Sequence, residues 1–113
     1  LGGMISCYAV YTRPQIYKTG VCMSSSFWWN SEDFNSKVLS SEKVIPEVRF
    51  YLDSGDSGPS QDGKAQTVSV FNHMSRMGYK LGETLFYLLD KGGQHSEYYW
   101  GRRFHQSMTW LYP

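Results

Sequence analysis

The chain has 113 residues, with 11 Lys+Arg against 10 Asp+Glu and a formal net charge of +1. That length holds one domain, and 41% hydrophobic with 17% aromatic residues supplies a core, which excludes a disordered chain. The near-neutral balance gives no electrostatic case for nucleic acid or an anionic membrane surface, and no apolar run approaches the roughly 20 residues of a membrane helix.

The first residues lack the basic-then-apolar order and the cleavage pattern of a signal peptide. Residues 3–13 predict a helix with Met4, Ile5, Tyr8 and Ala9 on one face, stopped by Pro14. Residues 18–24 predict a short strand ending in small polar residues. Cys7 and Cys22, the two cysteines, each fall in a regular element. They are expected as free thiols, which fits a reducing compartment and favours the cytoplasm. Residues 31–40 predict a helix opened by Ser31, with Glu32 and Asp33 suiting its positive end. Residues 47–53 alternate as a strand, with Val48, Phe50 and Leu52 on one side, and a Gly- and Ser-rich loop over 54–64 follows. Residues 65–77 predict a helix with Val70, Phe71, Met74 and Met77 inward and Gly78 as its stop. The apolar run 84–89 reads as a strand covered on both faces. A loop over 90–94 leads to His95, and a last helix begins near Ser96 with the stripe Trp100, Phe104, Met108 and Leu111.

Such alternation predicts an α/β fold, a parallel sheet of about three strands with helices on both faces. Ligands of open parallel sheets sit beyond the carboxyl ends of the strands. The loops over 24–29, 54–64 and 90–95 are therefore where chemistry is expected.

His95 follows an apolar strand through a Gly-Gly turn and precedes a helix, which projects an imidazole above the sheet edge. The loop after the second strand carries Asp53, Asp56 and Asp62. A carboxylate there, followed later in the chain by His95, is the second half of a Ser…Asp…His hydrolase order. Asp and Gly are also ordinary turn formers, so the loop alone is weak evidence. His73 and His105 lie within predicted helices, as surface or partly packed residues. The three histidines lack short metal-ligand spacing and the cysteines lie far from them, so no metal site is expected. No serine has the strand–G-x-S-x-G–helix setting of a nucleophile elbow; Ser24, Ser25 and Ser26 suit a lining role. The chain opens with Leu1-Gly2-Gly3 leading straight into a helix, which is what stands immediately after such a nucleophile.

Taken together, Leu1-Gly2-Gly3-Met4-Ile5-Ser6, Ser24-Ser25-Ser26-Phe27-Trp28-Trp29, Tyr51-Leu52-Asp53-Ser54-Gly55 and Gly92-Gly93-Gln94-His95-Ser96-Glu97 with Trp100 resemble the esterase D-like and enterochelin esterase-like branch of the α/β-hydrolases. The resemblance runs over essentially the whole chain. It implies a truncated α/β-hydrolase half-fold, a single partial domain over 1–113, beginning one residue after the nucleophilic serine. His95 matches the general base. For the acid, Asp62 fits the loop length of the relatives and Asp56 fits the usual distance from the strand end, while Asp53 belongs to a strand-end signature and braces the loop. The backbone N–H of Leu1 would be one oxyanion donor, and Ser26, Trp28 and Trp29 would line the substrate pocket. No cofactor is implied.

Two functions follow. The chain is a fragment of a serine esterase for small acyl or carbohydrate-linked esters, inactive as it stands, or it is a non-catalytic module that keeps the half-fold for assembly. In either case the strand over 18–24 would be an uncovered edge, so a homodimer is expected, with a small ester substrate only in the complete enzyme.

Overall fold

The computed structural model describes residues 1–40 and 44–113. It is a small α/β fold in the order α1 (Gly2–Thr12), β1 (Thr19–Met23), α2 (Trp29–Ser36), β2 (Arg49–Gly55), α3 (Lys64–Met77), β3 (Leu85–Asp90) and α4 (Glu97–Leu111). The strands form one parallel sheet, β1-β2-β3, with Met23 opposite Asp53 and Gly55 opposite Asp90. All three carboxyl ends therefore open on one edge.

Alternation along the strands decides what covers each face. Cys22, Phe50, Leu52 and Leu85 point to a cluster shared with Cys7 and Val10 of α1, Phe34 of α2 and Val70 and Met74 of α3. Val21, Met23, Tyr51, Phe86 and Leu88 point to the other face, where Trp110 and Leu111 of α4 cover them. The central β2 is enclosed from both sides, and every residue from Phe50 to Gly55 is buried.

Gly78 ends α3 in the left-handed conformation, φ 119°, as its place after the periodic run predicts. The opening of α2 differs from expectation. Ser31 makes no cap; Asn30, Ser31 and Glu32 form a left-handed turn with φ of 50°, 57° and 61°, and the right-handed helix follows. The inward faces of α1 and α4 are also rotated from the predicted ones. Ile5 and Tyr8 are exposed and Cys7 and Val10 buried, because α1 drives its Gly3 against β1. A Cβ at Gly3 would lie 2.4 Å from Met23 O and from Ser25 Oγ, so only glycine permits that approach. On α4, Phe104 is exposed, whereas Arg103, Ser107 and Leu111 face inward.

The approach of α1 overturns the expectation of free thiols. Cys7 and Cys22 are joined in a disulfide, Cα–Cα 5.8 Å, and the argument for a reducing compartment falls with it. Both residues are fully buried between helix and strand. The sequence separation of 15 corresponds to about 3 kcal/mol in a chain-entropy treatment. Reduction, or a Cys7→Ala/Cys22→Ala pair, is expected to lower stability by about that amount in urea melts. Coincident melts with and without reductant would show that the crosslink contributes nothing.

Candidate active site at the carboxyl edge of the sheet

Three loops build the site. The loop after β2 turns through a short 3-10 segment, Gln61–Gly63, with Gln61 and Asp62 both left-handed at φ 52° and 53°. Non-glycine residues rarely hold that conformation, and they do so where surrounding contacts over-determine it. Here three donors converge on the buried Asp62 carboxylate. The N–H of Gly55 donates to Oδ2 at 2.7 Å, Ser24 Oγ donates to Oδ2 at 2.6 Å, and His95 Nδ1 lies 2.8 Å from Oδ1.

His95 comes from the loop after β3. That loop approaches the end of β2 closely: Gly93 O accepts the N–H groups of Asp56 and Ser57 at 3.2 and 3.0 Å. A Cβ at Gly55 would meet Gly93 O at 2.1 Å, so the glycine is required for the approach. The His95 side chain is 51% exposed although its partner Asp62 is fully enclosed. Its ring lies edge-on to Trp100, centroids 4.9 Å apart. Nδ1 is held by the carboxylate and Nε2 has no hydrogen-bond partner among the described residues. A neutral imidazole so held is the Nδ1–H tautomer, with a free lone pair on Nε2.

Two clefts meet at His95. One of about 170 Å³ is lined by Ser24, Ser25, Ser26, Trp28, Asp62 and His95, among others. The second, about 240 Å³, is lined by Leu1, Gly2, Gly3, Met23, His95 and Trp100, among others. Leu1 thus stands in the same cleft as His95. Its nitrogen donates to Ser26 Oγ at 3.0 Å. Ser26 and Trp28 border the site. Trp29 does not: it lines a separate groove of about 350 Å³ with Met4, Ile5, Tyr8, Phe34 and Val38.

The other loop carboxylates have different partners. Asp56 accepts the Gly92 N–H at 2.8 Å, and that bond holds its carboxyl below the ordinary range. Asp53 braces the strand ends: it accepts the Ser24 N–H and the Tyr51 hydroxyl, both at 2.8 Å. Burial and the Asp53 charge push the Tyr51 phenol well above its usual value.

Sequence reasoning missed Arg103, the hub beneath these residues. It is 4% exposed, and its Nε and Nη2 fork onto the two Asp53 oxygens, each at 2.9 Å. Nη1 reaches Asp90 Oδ2 at 3.2 Å, and Nη2 also donates to Ser24 Oγ. Burial works against the charge, but the hydrogen bonds and charge of Asp53 outweigh it and raise the guanidinium above its ordinary value. Asp90 is also paired with the exposed Arg102. Burial opposes its ionisation, yet the bonds to Arg102 and Arg103 prevail and hold that carboxyl low. One signal was available: Asp53 and Asp90 fall at strand ends, where enclosed carboxylates call for a cation, and Arg103 stands on the Trp100–Leu111 side of α4.

Among the described residues, no group of three or more His, Cys, Asp or Glu is placed to hold a metal ion, and no helix is long and apolar enough to cross a membrane. His73 Nδ1 lies 2.8 Å from Asn35 Oδ1, away from these loops. Compared with protein-family models, curated proteins and solved structures, the chain matches none.

Proposed function

We propose that Asp62 and His95 are the acid and general base of a serine carboxylic-ester hydrolase, and that these 113 residues carry that part of a Ser-Asp-His triad without its serine. The observation that carries the reading is the 2.8 Å contact of His95 Nδ1 with the enclosed Asp62, with the rest of the imidazole half exposed in a cleft. Two further features support it. Acid precedes base on successive strand-end loops, the order of the α/β-hydrolases. The N-terminal end of α1 also opens on the His95 cleft, so a residue joined to Leu1 would enter it.

In the proposed reaction the serine hydroxyl adds to the ester carbonyl while His95 Nε2 takes its proton. Asp62 keeps the imidazole in the Nδ1–H tautomer and stabilises the imidazolium. Collapse of the tetrahedral intermediate expels the alcohol, which receives the proton from Nε2, and water then releases the acid by the same sequence. Loss of such a nucleophile costs about 10⁶ in turnover. Ser24 does not replace it, because its hydroxyl is buried and donates to Asp62.

The chain as given is therefore expected to hydrolyse short p-nitrophenyl esters no faster than free imidazole. With Gly-x-Ser joined to Leu1, stoichiometric labelling by a fluorophosphonate is expected, and His95→Ala should abolish it. Labelling of the 113-residue chain itself, or labelling indifferent to His95→Ala, would overturn the proposal.

A second reading, an assembling module, is favoured by β1. Among the described residues it pairs with β2 alone and leaves an open edge, preceded by the exposed Ile16 and Tyr17. Two-fold pairing of β1 with its copy would close that edge antiparallel and leave a six-stranded sheet. Light scattering at micromolar concentration is expected to give a dimer mass; a monomer that melts cooperatively sinks this reading.

A further inference from the structure

We propose that Arg103 is a positioning residue for the Asp62–His95 pair, acting through the hydroxyl of Ser24. Ser24 Oγ receives an N–H from Arg103 Nη2 and lies 2.6 Å from Asp62 Oδ2. A hydroxyl has one proton to give, and with Arg103 donating to the oxygen, that proton goes to Asp62. Asp62 Oδ2 therefore holds two donors, Ser24 Oγ and the Gly55 N–H. Oδ1 is left for His95, which selects the Nδ1–H tautomer.

Arg103 is fixed for this task from the other side. Its fork on Asp53 and its bond to Asp90 set the plane of the guanidinium, and the planar fork is a geometry that lysine cannot reproduce. The Ser24 backbone is held as well, at φ 42° with its N–H on Asp53 Oδ1. The guanidinium lies 3.8 Å from Asp62 Oδ2, too long for a hydrogen bond. The serine hydroxyl is thus the link from Arg103 to Asp62. In catalytic terms this rests on Asp62 and His95 being acid and base; in structural terms it does not.

The test reads the ring nitrogens of His95 by ¹⁵N NMR in the 113-residue chain, with no ester present. The native chain is expected to show a predominantly Nδ1–H imidazole with a slowly exchanging Nδ1 proton. Ser24→Ala, which keeps every charge, should lose that signature and move toward the tautomer mixture of free histidine, while the amide spectrum stays dispersed. Arg103→Lys should do the same. Ser25→Ala, removing a neighbouring buried hydroxyl that has no hydrogen-bond partner among the described residues, should leave the signature intact. A folded Ser24→Ala or Arg103→Lys variant that keeps the native signature overturns the proposal. Failure of the serine-extended chain to react with a fluorophosphonate bears on the esterase reading alone.

Discussion

Gly55→Ala is expected to destabilise the chain by about 3 kcal/mol, at the upper end of overpacking costs, and to separate His95 from Asp62. The added Cβ would stand 2.1 Å from Gly93 O and 2.4 Å from its carbonyl carbon. Both are backbone atoms, so no side chain can swing aside, and the loop after β3 must move as a unit. His95 lies two residues beyond Gly93, and Gly55 itself donates to Asp62 Oδ2. Relief of the clash therefore displaces both halves of the pair. Gly101 is the control: nothing lies within 4 Å of a Cβ there, and alanine in that exposed helical position should stabilise by about 0.5–1 kcal/mol. Urea melts of the two variants check the pair of signs. A Gly55→Ala protein with the native midpoint would mean that the loops are less closely apposed than described.

Arg103→Met should cost about 3–5 kcal/mol, the range for breaking a buried ion pair by removing one partner. The substitution conserves much of the volume but strands Asp53 with two enclosed oxygens and weakens the hold on Asp90. Arg102→Met, one residue away, should change the midpoint far less, because that side chain is 42% exposed and water can replace it beside Asp90. Equal effects from the two substitutions would remove Arg103 from the centre of the network.

Much of this architecture is legible in the sequence, and the gaps have physical causes. Strands and helices are readable because period-2 and period-3.6 patterns are carried by large apolar residues such as Phe50, Leu52, Val70 and Met74. The edge on which Asp62 and His95 meet follows from element order alone, since a parallel sheet places every post-strand loop at one end. The face of α4 does not follow from hydrophobicity, because it covers a carboxylate as well as apolar residues. Arg103 and Ser107 face inward there while Phe104 is left outside. The face of α1 is likewise set by the absence of a side chain at Gly3 and by the Cys7–Cys22 bond. The left-handed turn at Asn30–Glu32 has no composition signal, because serine and acidic residues equally suit a right-handed N-terminus. Trp28 and Trp29, adjacent in sequence, serve different clefts.

The all-parallel sheet also has a kinetic side. Thr19 pairs with Arg49, thirty residues on, and Phe50 with Gly20 before it and Leu85 after it; no hairpin joins the strands among the described residues. Each pairing must close a long loop, helix included, before any ladder bond rewards it, and topologies of that kind fold slowly. During synthesis the central strand emerges well before the chain that completes its sheet. The interval leaves Phe50–Leu52, fully buried in the folded structure, as an apolar strand open to wrong partners until residue 90 has been made.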